Sequence, residues 1–256
     1  MKAKKSFGQH FLINKMAVDR IVEKFGAINA TGKALEVGPG MGVLTEKLLS
    51  TYPSLTAVEA DHDMVAHLHN RFPLLNVVEA DFLKTDLKQL MNAQEFGLVG
   101  NFPYNISSQI VFKMLDYKEY VPVMVGMFQK EMAERIVAGP GSKTYGVISI
   151  LTQAYYQGQL LFHLSPSDFN PPPKVDSSVI ILTRKEDTGP QYNNRLFTEL
   201  VKTTFNQRRK MIRNTLKQYL PEHILNEPFY QKRPETLSLE DFINLTINIE
   251  NYEPGS

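Results

Sequence analysis

The sequence predicts an α/β protein built on a mostly parallel sheet, with a small helical domain after it. Three observations lead there. Short apolar runs alternate with amphipathic stretches, the pattern of βαβ units. A glycine-rich junction, LEVGPGMGVL (35–44), joins a strand-like run to a helix-like one. Residues 195–256 show helical patterns and no convincing strand.

The elements follow in order. Val18, Ile21, Val22 and Phe25 share one face of a 3.6-residue period, so the first element is a helix, with Asn14 to cap its start and Gly26 its end. Residues 33–38 read as a buried strand, and Leu44, Leu48 and Leu49 mark the helix behind it. A second strand at 55–60 precedes a helix carrying Met64, Val65 and Leu68. Strands follow at 76–81, 96–101 and 121–129. Helices are expected around 130–138 and 145–156, and two late strands at 160–165 and 177–184. The polar segment 185–194, with Gly189 and Pro190 inside it, reads as a linker. The expected domains are therefore 1–186 and 187–256.

Composition narrows the chemistry. Of 256 residues 43% are hydrophobic, which excludes wholesale disorder. Cysteine is absent, so disulfides, thiolate nucleophiles and cysteine-bound metal centres are excluded. No apolar run approaches the roughly 20 residues that span a bilayer, and no signal-peptide stretch follows the first lysines. No membrane association and a cytoplasmic location are the resulting expectations. His62, His67 and His69 have no familiar ligand spacing, so no metal site is expected.

The glycine loop carries Gly38, Gly40 and Gly42. A dinucleotide fingerprint G-x-G-x-x-G would need a third glycine where Val43 stands. Alone, the loop is also compatible with a tight turn. Glu59, 17 residues past Gly42, closes the second strand, where a carboxylate can accept both hydroxyls of a ribose. Asp81 closes the third, with acceptor oxygens for the exocyclic amine of adenine. Both are alternatively solvated strand ends. No G-K-[ST] phosphate grip accompanies them. An adenosine without phosphates points to S-adenosylmethionine as cofactor.

The stretch GNFPYNISS (100–108) ends the fourth strand in Asn101, Phe102, Pro103 and Tyr104. By itself it is explained equally well as a turn beside a core aromatic. FGQHFLIN (7–14), LEVGPGMGVLT (35–45), VEAD (58–61), EADFL (79–83), GNFPYNISS, QKEMAERIVAGPGSKTYG (129–146) and FNPPPKVDSSV (169–179) occur in this order. Together they resemble the small-subunit ribosomal RNA adenine dimethyltransferase family from about residue 6 to 184.

The resemblance implies a class I methyltransferase (Rossmann-like) fold, with seven strands of which the last is antiparallel. It implies transfer of methyl groups from S-adenosylmethionine to N6 of two adjacent adenosines in a hairpin loop near the 3′ end of small-subunit rRNA. His10 and Leu12 would border the cofactor. Gly38, with Gly40 in the same loop, would meet its methionine portion, Glu59 the ribose and Asp81 the adenine. Asn101 would sit where cofactor and target base meet. His10 stands where the family often has asparagine. Phe102 replaces a leucine or isoleucine and is expected to point into the core.

The chemistry then assigns the tetrapeptide. The N6 lone pair of adenine is delocalised, and attack on a sulfonium methyl needs that nitrogen pyramidal. Asn101 supplies a side-chain oxygen and Pro103 a carbonyl aimed by its ring. Tyr104 offers a face for an extruded base. Phe169 is a candidate second stacking partner, and Lys174 a candidate phosphate contact. Seven basic residues against one acid lie between Arg195 and Lys217, on a chain of net charge +1. Arg208, Arg209, Lys210 and Arg213 are therefore candidate RNA contacts, with Lys2, Lys4 and Lys5 in support. Arg209, Arg213 and Lys217 recur every four residues and are expected on a different helical side from the buried face of Val201, Phe205, Ile212 and Leu216.

The partner is then small-subunit rRNA or the pre-small ribosomal subunit, and the chain is expected to act as a monomer. Competing readings are a large-subunit rRNA or DNA adenine-N6 methyltransferase, a non-catalytic ribosome-assembly factor, and a nicotinamide oxidoreductase, the last disfavoured by Val43.

Overall fold

The computed structural model describes residues 9–186 and 192–252. Lys2, Lys4 and Lys5, and the centre of the expected linker, lie outside the described residues. The alternating apolar runs form one sheet: β1 (Ala34–Val37), β2 (Thr56–Glu59), β3 (Asn76–Glu79), β4 (Gly97–Asn101), β5 (Val123–Gln129), β6 (Tyr156–Leu164) and β7 (Ser177–Arg184). Its order is β3-β2-β1-β4-β5-β7-β6. The first five strands are mutually parallel, and β7 runs antiparallel to β5 and β6. This is the class I methyltransferase architecture expected from the sequence. Strands β1 and β2 are buried throughout, as fits parallel strands covered on both faces. Strand order reverses between β1 and β4, which opens a crevice at their carboxyl ends.

Helix α1 (Lys15–Ile28) begins where predicted, with the Asn14 side chain accepting from the Ala17 N–H at 3.1 Å. It runs through Gly26 and stops at Asn29. A glycine costs a helix only about 1 kcal/mol, and the buried face of Val18, Ile21 and Phe25 outweighs that. Helices α2 (Val43–Thr51) and α3 (His62–Arg71) follow β1 and β2 as expected. Helix α4 (Ser107–Asp116) is absent from the sequence reading. Its buried Ile110, Val111 and Met114 carry the helical spacing, but its start is hidden inside GNFPYNISS. Strand β6 starts at Tyr156, four residues before the expected point, because Tyr156 to Gln159 already pair with β7.

The chain divides into two compact units, Met1–Ala133 with Tyr156–Arg184, and Glu134–Tyr155 with Lys185–Ser256. The division therefore differs from the expected boundary at 186/187. Residues 134–155 go with the helical unit because their partners lie there. Tyr155 donates to the Asn194 side chain at 2.8 Å, Gly141 N–H to the Glu235 carbonyl at 2.7 Å, and Arg208 to the Ser142 carbonyl at 3.2 Å. Helix α5 (Lys130–Val137) crosses the boundary, and α6 (Val147–Tyr155), α7 (Asn194–Asn206) and α8 (Leu239–Glu250) belong to the helical unit. Val201, Ile212 and Leu216 are buried as expected, and Phe205 is half-buried. Yet α7 ends at Asn206, followed by turns and a single helical turn at Ile212–Asn214. Arg209, Arg213 and Lys217 thus do not line one helix, and their four-residue recurrence has no structural counterpart.

Candidate active site

The carboxyl ends of β1 to β4 surround a cavity of about 370 Å³. Its lining includes His10, Leu12, Gly38, Gly40, Glu59, Asp81, Asn101, Pro103 and Tyr104, so nine of the residues singled out in the sequence meet at one place. Among the described residues no lysine or arginine lines it; its carboxyls are Glu36, Glu59 and Asp81.

The turn after β1 sets the floor. Gly38 has φ +66°, a conformation that only glycine adopts without strain, and a Cβ there would stand in van der Waals contact with the Pro103 ring at 3.8 Å. Its N–H extends the sheet to the Val58 carbonyl at 2.9 Å. Gly42 has a different reason: at φ +77° a Cβ would stand 2.5 Å from the Phe72 ring, so α2 and the end of α3 close against it. The three glycines are therefore not equivalent, which spacing alone does not reveal.

Glu59 ends β2 and is buried. One carboxylate oxygen accepts the Gly40 N–H at 3.1 Å, and the other the Asp61 N–H at 2.9 Å. Burial pushes its pKa up, and these amide donors oppose that. The Ala60 N–H acts on the same carboxylate, so main-chain donors fix its plane. Asp81 lies two residues beyond β3 and is half-exposed. One oxygen accepts the Leu83 N–H at 2.9 Å, which caps a short helical turn, and Lys84 stands 3.9 Å from the other.

At the tip of β4 an alternation directs the tetrapeptide. Phe102 turns inward, 1% exposed, with its ring across Gly126 and edge-on to Phe128 at 5.1 Å. A Cβ on Gly126 would fall 2.2 Å from that ring, so the glycine makes room for the wedge. With Phe102 held inward, Asn101 and Pro103 face the cavity. The Asn101 amide nitrogen donates to the His10 carbonyl at 2.8 Å, which fixes the amide and leaves its oxygen available. The Pro103 carbonyl already accepts the Ile106 N–H at 3.2 Å and keeps its second lone pair. The Tyr104 hydroxyl pairs with buried Ser177 Oγ at 2.5 Å, and burial raises its pKa. The His10 ring stacks on the Tyr104 ring, 5.5 Å between centroids and 26° between planes. His10 Nδ1 donates to the acceptor-only Pro171 carbonyl at 2.8 Å.

Phe169 stands apart from the expected role. It is 2% exposed, packs in the core with Leu12 and Val18, and is not among the residues lining the cavity. A stacking platform needs a free ring face, and this conformation gives Phe169 none. The segment instead straps the N-terminal motif down. Phe11 and Leu12 pair with Asn170 and Phe169, Ile13 N–H donates to the Asp168 carbonyl at 2.8 Å, and Asn14 to the Asp168 carboxylate at 2.8 Å. Lys174 is exposed. Arg209 and Lys210 are exposed, whereas Arg208 and Arg213 are half-buried, Arg213 reaching the Gln231 side chain at 3.4 Å. Glu36, Thr45, Asp168 and Ser177 are site or supporting residues to which the sequence reading gives no role. The S-x-x-D pattern of a capping box at 165–168 is the one local signal for them.

Comparisons with known proteins bear on the family and the fold. The family model described as "Ribosomal RNA adenine dimethylase" matches residues 1–250. "Ribosomal RNA small subunit methyltransferase A" of Phocaeicola vulgatus is 49% identical, covering 98% of this chain and 90% of that one. Its namesake from Flavobacterium johnsoniae is 45% identical, covering 98% and 97%. Among solved structures, a dimethyladenosine transferase from Plasmodium falciparum superposes with TM-score 0.78 at 27% identity, covering 94% and 98%. The 23S rRNA methyltransferase ErmE superposes with TM-score 0.70 at 23% identity over 93% and 99%, a likeness of fold alone. A family model matched over nearly the whole chain, with relatives near half identity, leads to one conclusion: the chain belongs to the ribosomal RNA adenine dimethylase family.

Proposed function

We propose that this protein transfers methyl groups from S-adenosylmethionine to N6 of two adjacent adenosines in a hairpin loop near the 3′ end of small-subunit rRNA, during small-subunit biogenesis. The single observation that carries the reading is the meeting of Asn101, Pro103 and Tyr104 with the glycine loop, Glu59 and Asp81 around one cavity. Relatives across the full chain bear the name of small-subunit rRNA methyltransferases, which supports the substrate.

The cavity suits the cofactor. Gly38 and Gly40 give its methionine end access to backbone, bordered by His10 and Leu12. The two oriented oxygens of Glu59 receive the ribose hydroxyls, and the outer oxygen of Asp81 receives the adenine amine. No lysine or arginine is among the described residues that line the cavity, and its three carboxyls suit a ligand that bears positive charge. When bound, the cofactor supplies an electrophilic methyl on a sulfonium.

The chain's own residues do the rest. The Asn101 oxygen and the free lone pair of the Pro103 carbonyl accept the two N6 hydrogens of the target adenine. Held from those directions, the nitrogen is favoured in pyramidal form, with its lone pair toward the methyl. The base stacks on Tyr104, whose ring Ser177 holds by the hydroxyl. A base that enters on the face covered by His10 takes the place of that imidazole. No strong general base is needed, because the amine becomes acidic once methylated. This is catalysis by positioning and by fixed dipoles. Lys174 and the basic residues Arg208, Arg209, Lys210 and Arg213 carry the rRNA backbone in this reading. The reading includes a cytoplasmic enzyme acting as a monomer, which sedimentation checks.

The test uses cells with and without the gene. Small subunits from the deleted strain are offered to the pure protein with labelled cofactor, beside large subunits, naked rRNA and DNA. Mass spectrometry is expected to find two N6,N6-dimethyladenosines restored in small-subunit rRNA alone. Methylation of large-subunit RNA or DNA, or RNA binding without transfer, overturns the reading.

A further inference from the structure

The cavity wall contains a carboxyl that the reaction above does not use. Glu36 lies in β1, two residues before Gly38, and is 1% exposed. Thr45 Oγ1, from α2, donates to its Oε2 at 2.7 Å. Among the described groups that act on it, Glu59 on the neighbouring strand is the only charged one, and it opposes ionisation. Elsewhere on the wall the titratable groups are Asp81, His10 and Tyr104, and no lysine or arginine is present among the described residues. Thus a buried carboxyl has one hydroxyl donor, a second carboxyl nearby and no cation among the described residues of the wall.

Such a group is stable only as the neutral acid while the cavity holds no positive charge. Burial pushes its pKa up to about 8, against the lowering effect of Thr45. S-adenosylmethionine carries a sulfonium and an ammonium against one carboxylate. Its arrival places net positive charge in a cavity walled by carboxyls.

We propose that Glu36 is a proton-linked sensor of the cationic donor: it is protonated in the free enzyme and ionises when S-adenosylmethionine binds, releasing a proton to solvent. The inference rests on the cofactor assignment of the preceding section and deepens it. Its consequence is that donor affinity rises with pH through neutrality and levels off once the carboxyl is ionised in both states. For one full proton the limit is tenfold per pH unit.

Isothermal calorimetry at pH 7, in buffers of differing ionisation enthalpy, counts the protons. Wild type is expected to release a substantial fraction of one proton on binding S-adenosylmethionine, and Glu36→Gln none. The amide of that variant mimics the neutral acid and keeps the Thr45 bond, so the variant is expected to fold and to bind. Thr45→Val removes the donor that favours the carboxylate, and is expected to extend proton release to higher pH. Binding without proton release in wild type, or equal release in wild type and Glu36→Gln, overturns the inference and leaves the cofactor assignment standing. Failure of wild type to bind the cofactor at all overturns that assignment and the inference with it.

Discussion

The carboxyl edge of β1, β2 and β4 and the basic stretch 207–217 of the helical unit handle charge in opposite ways. At the edge, main chain fixes Glu59 and Asn101. Backbone amides hold Glu59, and the His10 carbonyl holds the Asn101 amide. Along 207–217 the chain has left its helix, and Arg209, Lys210 and Lys217 extend into solvent. The first region is built to discriminate by direction, where one misplaced atom is felt. The second offers charge, whose effect depends on number more than on angle. Substitutions should therefore act steeply and distinctly at the edge, and weakly and additively in the basic stretch.

Asn101→Ala is the strongest test of that contrast. It removes one of two acceptors aimed at the reacting nitrogen, which is expected to lower kcat by about 10²–10³-fold. The dissociation constant for S-adenosylmethionine, measured by calorimetry, should change far less. Equal losses in both would mean that Asn101 serves binding rather than the chemical step.

Next comes Glu36, whose effect appears in stability. A carboxyl raised to about 8 in the folded protein is neutral there while its unfolded counterpart, near 4.5, is ionised. The unfolded state therefore gives up its proton first, and wild-type stability is lost as pH rises between those values. Glu36→Gln has no such dependence. The variant should match wild type near pH 4.5 and become the more stable protein by pH 8, by a few kcal/mol with an upper limit of about 1.4 kcal/mol per pH unit. Thermal melts across that range check it; parallel curves would refute it.

Glu59→Gln and Asp81→Ala separate the two ligand-facing carboxylates. A glutamine keeps one acceptor oxygen, so either Gly40 or Asp61 loses its partner while buried, a cost of about 1–3 kcal/mol. Cofactor affinity is expected to fall about 10–100-fold. Asp81 is half-exposed and shares its oxygens with Leu83 and solvent, so its loss should cost about tenfold or less. A larger effect at Asp81 than at Glu59 would invert the view that burial and amide contacts set the steepness.

Most of the sheet and the cavity are legible because each rests on a local pattern. Buried parallel strands read as apolar runs, and strand ends announce themselves by a change to Gly, Glu, Asp or Asn. What escapes depends on contacts distant in sequence. Phe169 reads as a stacking face because FNPPP resembles a loop, but its pairing with Leu12 turns it into core. Helices α5 and α6 read with the sheet because they precede its last strands, although α6 and the second half of α5 group with the helical unit. The basic stretch has helical spacing, but spacing cannot see that α7 stops at Asn206. Glu36 is visible two residues before the loop, yet only burial shows that its neighbours leave it without a cation.

The smallest effects belong to the basic stretch, and they decide whether the contrast holds. Arg209→Ala and Lys210→Ala each remove one exposed cation. Each is expected to weaken rRNA binding only a few-fold at moderate salt, and to reduce the slope of log K against log[salt] by about 0.7–0.9 per phosphate contact. The two losses should add, and neither should alter kcat at saturating substrate. Arg208 offers the internal control, because its guanidinium donates to the Ser142 carbonyl. Arg208→Ala should loosen the 138–146 loop, seen as faster amide exchange there, while Arg209→Ala leaves that exchange unchanged. If instead Arg209→Ala alone removed binding at every salt concentration, this stretch would be reading direction as sharply as the edge does, and the contrast between the two regions would fail.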